Sequence, residues 1–141
     1  VRGLQARKTF KKITKAIDSG LVKACHDLSE GGLGVAAAEM AIGGGFGIQL
    51  DLRKVQKKDV DRDDFVLFSE SNSRFLVEIP QKATVEFEAL MKDVVCAKIG
   101  RVTKNAKFSV QGLNGATIVE ASIADLRKSW KGTLSSGVRK A

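Results

Sequence analysis

Three closely spaced glycines, Gly31, Gly32 and Gly34, could form a binding site for an anion. They lie between a short apolar segment at 21–25, predicted to be a buried strand, and an alanine-rich segment at 33–42, predicted to be a helix. The first N–H groups of a helix have no intrahelical partner, and the helix dipole places a partial positive charge beside them. Because glycines also let a ligand approach the backbone, this run is typical of a phosphate site.

The same glycine-rich run has a second interpretation that involves no ligand. Asp27 or Ser29 could cap the helix with its side chain, because both residue types are common at helix starts. Asp27 and Glu30 also have the spacing of a capping box. The glycines would then serve only the turn between strand and helix.

A polar loop at 69–73 is a second candidate for phosphate binding. It places three hydroxyls, a carboxylate and a carboxamide within five residues, and Arg74 follows directly. Hydroxyls and a guanidinium are good hydrogen-bond donors to phosphate. Because serine and asparagine also favour turns, the loop could equally be a polar turn that closes a hairpin.

Histidine and cysteine are scarce, which argues against a structural zinc site. His26 is the single histidine, and we interpret it as a hydrogen-bonded side chain at a strand end. Cys25 and Cys96 are the only cysteines, and each lies in an apolar segment predicted to be a strand, where free cysteine is commonly buried. A disulfide framework would need more cysteines, so we expect a reducing, cytoplasmic compartment.

The remaining sequence predicts the elements that must position these residues. Apolar side chains at helical spacing predict further helices over 5–19, 83–95 and from Ser122 onward. Alternating patterns predict strands over 46–52, 74–79 and 97–102, with antiparallel pairs near 65–79 and 106–120. The charged residues 53–64 are predicted to form an exposed connector. This order favours an α+β fold, a layered sandwich in which helices cover a mixed sheet.

The length of 141 residues fits one domain, 1–141, with an ordered core at 5–131 and a frayed tail at 132–141. Trp130 is expected to anchor the last helix by packing. The chain begins with Val1, so we expect it to be a piece of a longer polypeptide. No apolar run is long enough to span a membrane.

The formal net charge of +8 raises the possibility of a nucleic-acid-binding protein. The basic residues are scattered, however, and the chain has no tyrosine for stacking on single strands. A positive surface that faces anionic nucleotides or an acidic partner fits equally well. The scattered pattern therefore argues against a nucleic-acid partner.

Three segments resemble known proteins. Residues 16–33, AIDSGLVKACHDLSEGGL, resemble the C-terminal domain shared by the aminoimidazole ribonucleotide synthetase superfamily. Residues 67–77, LFSESNSRFLV, resemble a segment of the phosphoribosylformylglycinamidine synthase family, which are ATP-dependent ligases of purine synthesis. Residues 126–134, LRKSWKGTL, resemble the end of that family's synthetase subunit, and the resemblance covers most of 10–135.

The resemblance implies a fold partly similar to the ferredoxin-like topology and a set of ligand-binding residues. In the family these positions contact substrate, nucleotide or phosphate, and here they are His26, Gly31, Gly32, Ser69, Glu70, Ser71, Asn72 and Arg74. It further implies magnesium binding at Asp51. The motifs are similar to the second of the family's two halves, whose site is associated with an auxiliary or structural nucleotide.

The resemblance also implies an activity for a longer protein. The family uses Mg-ATP to activate an amide oxygen of formylglycinamide ribonucleotide, and ammonia then displaces phosphate to give the amidine. Because the catalytic histidine and main ATP-binding residues lie in N-terminal domains, we expect no catalytic residue here and an inactive isolated chain. The expected partners are the remainder of the synthetase, a glutaminase subunit and a small bridging subunit.

Two alternatives to this family stay open. The chain could belong to an aminoimidazole ribonucleotide synthetase, a selenophosphate synthetase or a hydrogenase maturation protein, although the 69–75 segment argues against these. It could instead be a stand-alone basic module that binds nucleic acid, which a steep salt dependence of RNA binding would indicate.

Overall fold

The computed structural model describes residues 3–135, and helices alternate with strands over most of this part, before three consecutive strands and a last helix. The helices are α1 (Gly3–Asp18), α2 (Gly32–Gly44), α3 (Asp63–Phe68), α4 (Thr84–Met91) and α5 (Ile123–Ser135). The strands are β1 (Ala24–Asp27), β2 (Gly47–Asp51), β3 (Phe75–Glu78), β4 (Gly100–Thr103), β5 (Lys107–Gln111) and β6 (Thr117–Ser122). Two short 3₁₀ turns occupy Leu52–Lys54 and Gln81–Ala83.

The strands form a mixed sheet and a separate antiparallel pair. In the four-stranded sheet the order is β4-β2-β5-β6, with β2 parallel to β5 and the other two pairings antiparallel. Strands β1 and β3 pair in antiparallel fashion, and His26 lies opposite Leu76. The predicted α+β fold with a mixed sheet is therefore confirmed.

Alternation along the strands decides which face of the four-stranded sheet is buried. Ile48 and Leu50 of β2 lie beside Phe108 and Val110 of β5, and all four are at most 7 % exposed. They join α2, α3 and α5 in the larger of two apolar clusters. The smaller cluster joins α1 and α4 to β3. The loop between α3 and β3 lies where elements of both clusters meet.

Two polar contacts fix the helix ends that surround these clusters. The Lys12 ammonium of α1 donates to the carbonyl of Leu90 at 2.6 Å, near the end of α4. The Ser122 hydroxyl accepts the N–H of Asp125 at 3.0 Å and donates to its carboxylate, so Ser122 caps the start of α5.

Some local expectations are wrong. Residues 65–68 form α3, not a strand, and the partner of β3 is β1. Asp63 and Asp64 stand in the first turn of α3, where their charges favour a helix start. The pattern 65–68 was too short to separate helix from strand.

Several side chains expected inside the fold are exposed. Cys25 and Cys96 are both exposed, and Cys96 lies outside the strands. Trp130 is 52 % exposed, so it is not a buried anchor. Of the expected tail, residues 132–135 continue α5, and residues 136–141 lie outside the described part.

Candidate functional site

The glycine pair makes the turn into α2. Gly31 and Gly32 have φ angles of +74° and +59°, in the left-handed region that glycine tolerates best. Gly31 is the N-cap residue, and no side chain caps the helix. The expectation that Asp27 or Ser29 caps α2 is therefore wrong. The backbone turn itself begins this helix.

Close packing, more than ligand access, explains why a glycine is found at position 32. A Cβ atom at this position would lie 2.8 Å from the carbonyl oxygens of both Leu67 and Ser69. The end of α3 therefore lies directly against the start of α2. At Gly31 a Cβ atom would instead meet the side chain of Val35.

The N–H groups of both glycines already have acceptors within the chain. Gly31 donates to Oε1 of Glu70 at 2.8 Å, and Gly32 donates to the carbonyl of Ser29 at 3.2 Å. The anion beside the positive end of α2 is thus the chain's own carboxylate. The two predicted ligand motifs therefore meet and bind each other through this hydrogen bond.

The 69–73 loop is held by Arg74. Its Nη1 donates to Oγ of Ser69 at 3.0 Å and to the Ser69 carbonyl at 3.3 Å. The guanidinium is half-buried, and this burial lowers the pKa of Arg74. Ser71 and Asn72 are exposed, at the outer end of the loop.

His26 has acceptors at both ring nitrogens. Its Nδ1 lies 2.7 Å from the carbonyl oxygen of Asp27, and its Nε2 lies 3.0 Å from Oε2 of Glu39. The second contact joins β1 to α2. The geometry agrees with the interpretation of a hydrogen-bonded histidine at a strand end, and the ligand role stays a prediction.

Asp51 does not fit a magnesium ligand. Oδ1 accepts from Nε of Arg53 at 2.8 Å and Oδ2 from Nη2 at 2.9 Å, so the guanidinium occupies both oxygens. These bonds hold the pKa of Asp51 below its usual range. Within residues 3–135, no group of three or more metal-binding side chains comes together. We therefore assign no metal-dependent step to this chain.

The Asp51–Arg53 pair should make stability depend on pH. Because the pKa of Asp51 is lowered in the folded state, the pair stabilises the fold above the ordinary carboxyl pKa and loses this effect as pH falls through the folded value. The difference in unfolding free energy between wild type and Asp51→Asn should shrink from about pH 7 to about pH 3. Urea titrations across this range measure it. Asp59→Asn, which removes an exposed carboxylate from the same connector, is the control.

A difference in unfolding free energy that does not depend on pH would contradict this account of the pair. The same pH dependence in the Asp59→Asn control would also contradict it, since the lost charge alone would then explain the result.

Sequence reasoning missed a groove on the other side of the 69–74 loop. The groove has a volume of about 610 Å³ and lies between this loop, α3 and the connector that carries Lys57 and Lys58. Arg74, Ser69 and Ser71 line it from the loop. The lysine pair was visible in the sequence, but its position opposite Arg74 depends on how the connector folds back.

No helix within residues 3–135 is long and apolar enough to cross a membrane.

A comparison with known protein families gives the class of protein. Residues 2–112 match the family described as AIR synthase related protein, C-terminal domain, and the chain belongs to this family.

One curated relative and two solved structures illustrate the similarity. The chain is 38 % identical over 130 residues to the phosphoribosylformylglycinamidine synthase subunit PurL of Alkaliphilus metalliredigens. This alignment covers 91 % of the present chain and 17 % of the relative. The structure of phosphoribosylformylglycinamidine synthase II from Thermotoga maritima matches with a TM-score of 0.75 and 20 % identity, over 86 % of this chain and 21 % of that one. The structure of HypE from E. coli matches with a TM-score of 0.64 and 21 % identity, over 79 % of this chain and 37 % of HypE.

The two structural matches show the fold alone, because both have low sequence identity. The chain spans about a sixth of the length of the curated relative. The activity of that relative therefore belongs to a polypeptide about six times as long as this chain.

Proposed function

We propose that this chain is the C-terminal domain of a phosphoribosylformylglycinamidine synthase. The longer enzyme would convert formylglycinamide ribonucleotide, ATP and ammonia to formylglycinamidine ribonucleotide, ADP and phosphate. The observation that carries the proposal is the 38 % identity to PurL, which extends over 130 of the 141 residues. Family membership supports it independently.

The domain's own role in this proposal is to support a ligand site and not to perform chemistry. Glu70 fixes the start of α2 through Gly31, and Arg74 fixes the loop through Ser69. Exposed Ser71 and Asn72 then face outward from a rigid base. His26 and the loop residues contact the ligand of this site.

Within the proposal, Mg-ATP is bound and activated by domains outside this chain. The T. maritima PurL has been solved in complex with ATP, and a T. maritima PurLQS assembly has also been solved. By analogy, the remainder of the synthetase chain, a glutaminase and a small bridging subunit would be the partners. A cytoplasmic location fits such an enzyme.

Three samples test the proposal: the full polypeptide that contains these residues, the same polypeptide without them, and the 141-residue chain alone. Each is assayed for phosphate release with formylglycinamide ribonucleotide, Mg-ATP and ammonium. We expect turnover only from the full polypeptide. A full polypeptide without turnover overturns the substrate assignment.

The other two samples test the role of the domain. Turnover by the isolated chain would overturn the supporting role, because the chain would then contain a complete site. Undiminished turnover by the polypeptide without the domain would show that the domain is dispensable. Omitting ammonium from each sample is the control for ATP hydrolysis unrelated to amidine formation.

A further inference from the structure

Three cationic side chains converge on the groove that the sequence analysis missed. Lys57 and Lys58 line it from the connector, and Arg74 lines it from the opposite loop. The two lysines are exposed, whereas Arg74 is half-buried. A groove that collects charge of one sign between apolar walls concentrates the field on any ligand inside it.

These cations are not neutralised by any side chain among residues 3–135. Among the ion pairs of residues 3–135, no carboxylate lies within 4.0 Å of Lys57, Lys58 or Arg74. Lys57 donates only long hydrogen bonds, 3.3–3.5 Å, to backbone carbonyls. The groove's one acidic side chain, Asp64, is bound in a two-pronged pair by Arg62.

The donors of Arg74 are also incompletely used. Its hydrogen bonds to Ser69 involve Nη1 alone, so within residues 3–135 Nε and Nη2 have no acceptor. A guanidinium can bind a phosphate through two parallel hydrogen bonds. Burial lowers the pKa of this side chain, and a bound anion would relieve the cost of holding its charge there.

The rest of the groove wall is apolar. Phe65 and Phe68 are 55 % and 53 % exposed, and Val55, Val60 and Val66 complete the apolar lining. Two half-exposed phenylalanines one helical turn apart are costly to leave in water. The Arg62 guanidinium lies over one face of the Phe65 ring, 4.5 Å from its centroid. The ring of Phe68 and the remaining surface of Phe65 offer an aromatic wall beside the cationic side chains.

We propose that this groove binds a small molecule that carries a phosphate group on an aromatic or apolar body. Arg74, Lys57 and Lys58 hold the phosphate, and Ser69 and Ser71 supply hydroxyl donors. The apolar body lies against Phe65 and Phe68. This combination selects a phosphate ester over both free phosphate and an uncharged aromatic molecule.

The groove shares only part of its lining with the site in the proposed function. His26, Gly31 and Glu70 do not line it, although Ser69, Ser71 and Arg74 are shared by the two sides of the loop. The decisive residues, Lys57, Lys58 and Phe65, belong only to the groove. The inference therefore does not depend on the identity of the longer enzyme, and its failure leaves the proposed function intact.

The test is calorimetric titration of the 141-residue chain with phenyl phosphate, inorganic phosphate and phenol. A cooperative thermal transition in every variant checks that the fold is retained. We expect saturable binding of phenyl phosphate that is at least about tenfold tighter than that of the other two probes. Adenosine monophosphate is a fourth probe, and it distinguishes a nucleotide from a simpler ester as the natural ligand.

Variants assign the binding to the groove. The double variant Lys57→Gln, Lys58→Gln should weaken phenyl phosphate binding by about tenfold or more. Its matched control, Lys98→Gln, Lys104→Gln, removes the same charge from exposed positions outside the groove and should leave binding unchanged. Phe65→Ser should weaken phenyl phosphate and leave inorganic phosphate unaffected.

Three results would overturn the proposal. The first is an absence of saturable binding for both phosphate esters. The second is an equal loss of affinity in the groove variant and its control, which would indicate a general charge effect. The third is equal affinity for inorganic and phenyl phosphate, because the apolar wall would then have no role.

Discussion

Replacement of Gly32 by alanine is expected to destabilise the chain by about 3 kcal/mol or more. The added Cβ would lie 2.8 Å from two backbone oxygens, those of Leu67 and Ser69, and no side-chain rotation can relieve this. The left-handed φ of +59° adds strain for any residue with a Cβ. Urea denaturation followed by circular dichroism measures the loss.

Gly45→Ala is the matched control for this variant. Gly45 has a similar φ, +71°, but nothing lies within 4 Å of an added Cβ. Its substitution should cost only the backbone strain, about 1 kcal/mol. The difference between the two variants isolates the contact between α2 and α3. Equal losses would mean that Gly32 is required for its conformation alone.

Periodicity predicted the elements that have one buried face. Ile48 and Leu50 alternate with polar residues because they face the larger cluster, and β2 forms where this pattern is found. The first helix was predicted on the same principle, and Gly20, with a φ of +70°, follows its end. Its apolar face is nonetheless half open, since Phe10 and Ile17 are each 48 % exposed.

The candidate site could be located from the sequence, but its internal contacts could not. Gly31 and Glu70 stand 39 positions apart, and their hydrogen bond forms only because α3 packs against α2. The helix start was expected to bind an external anion, since no local pattern shows that a distant carboxylate occupies it. Lys57 and Lys58 lie in the segment predicted to be an exposed connector, and no local pattern places them beside the groove that Arg74 lines.

Leu33→Ala is expected to cause the other large loss, about 3 to 5 kcal/mol. Leu33 follows the glycine pair directly, is 1 % exposed and belongs to the larger cluster. Truncation removes buried methyl groups and leaves a cavity, because the backbone on either side is fixed by Gly32 and by the helix. Thermal and urea unfolding both measure this effect.

Val35→Ala provides the comparison on the same helix. Val35 is 36 % exposed, so its truncation should cost about 1 kcal/mol or less. If Leu33→Ala were equally mild, the start of α2 would not be anchored in the core. The hydrogen bond between Gly31 and Glu70 would then have to hold the loop without the packing of Leu33 in the core. A large loss at Leu33 with a small one at Val35 instead places the rigidity of the loop in the packing beneath the glycine turn.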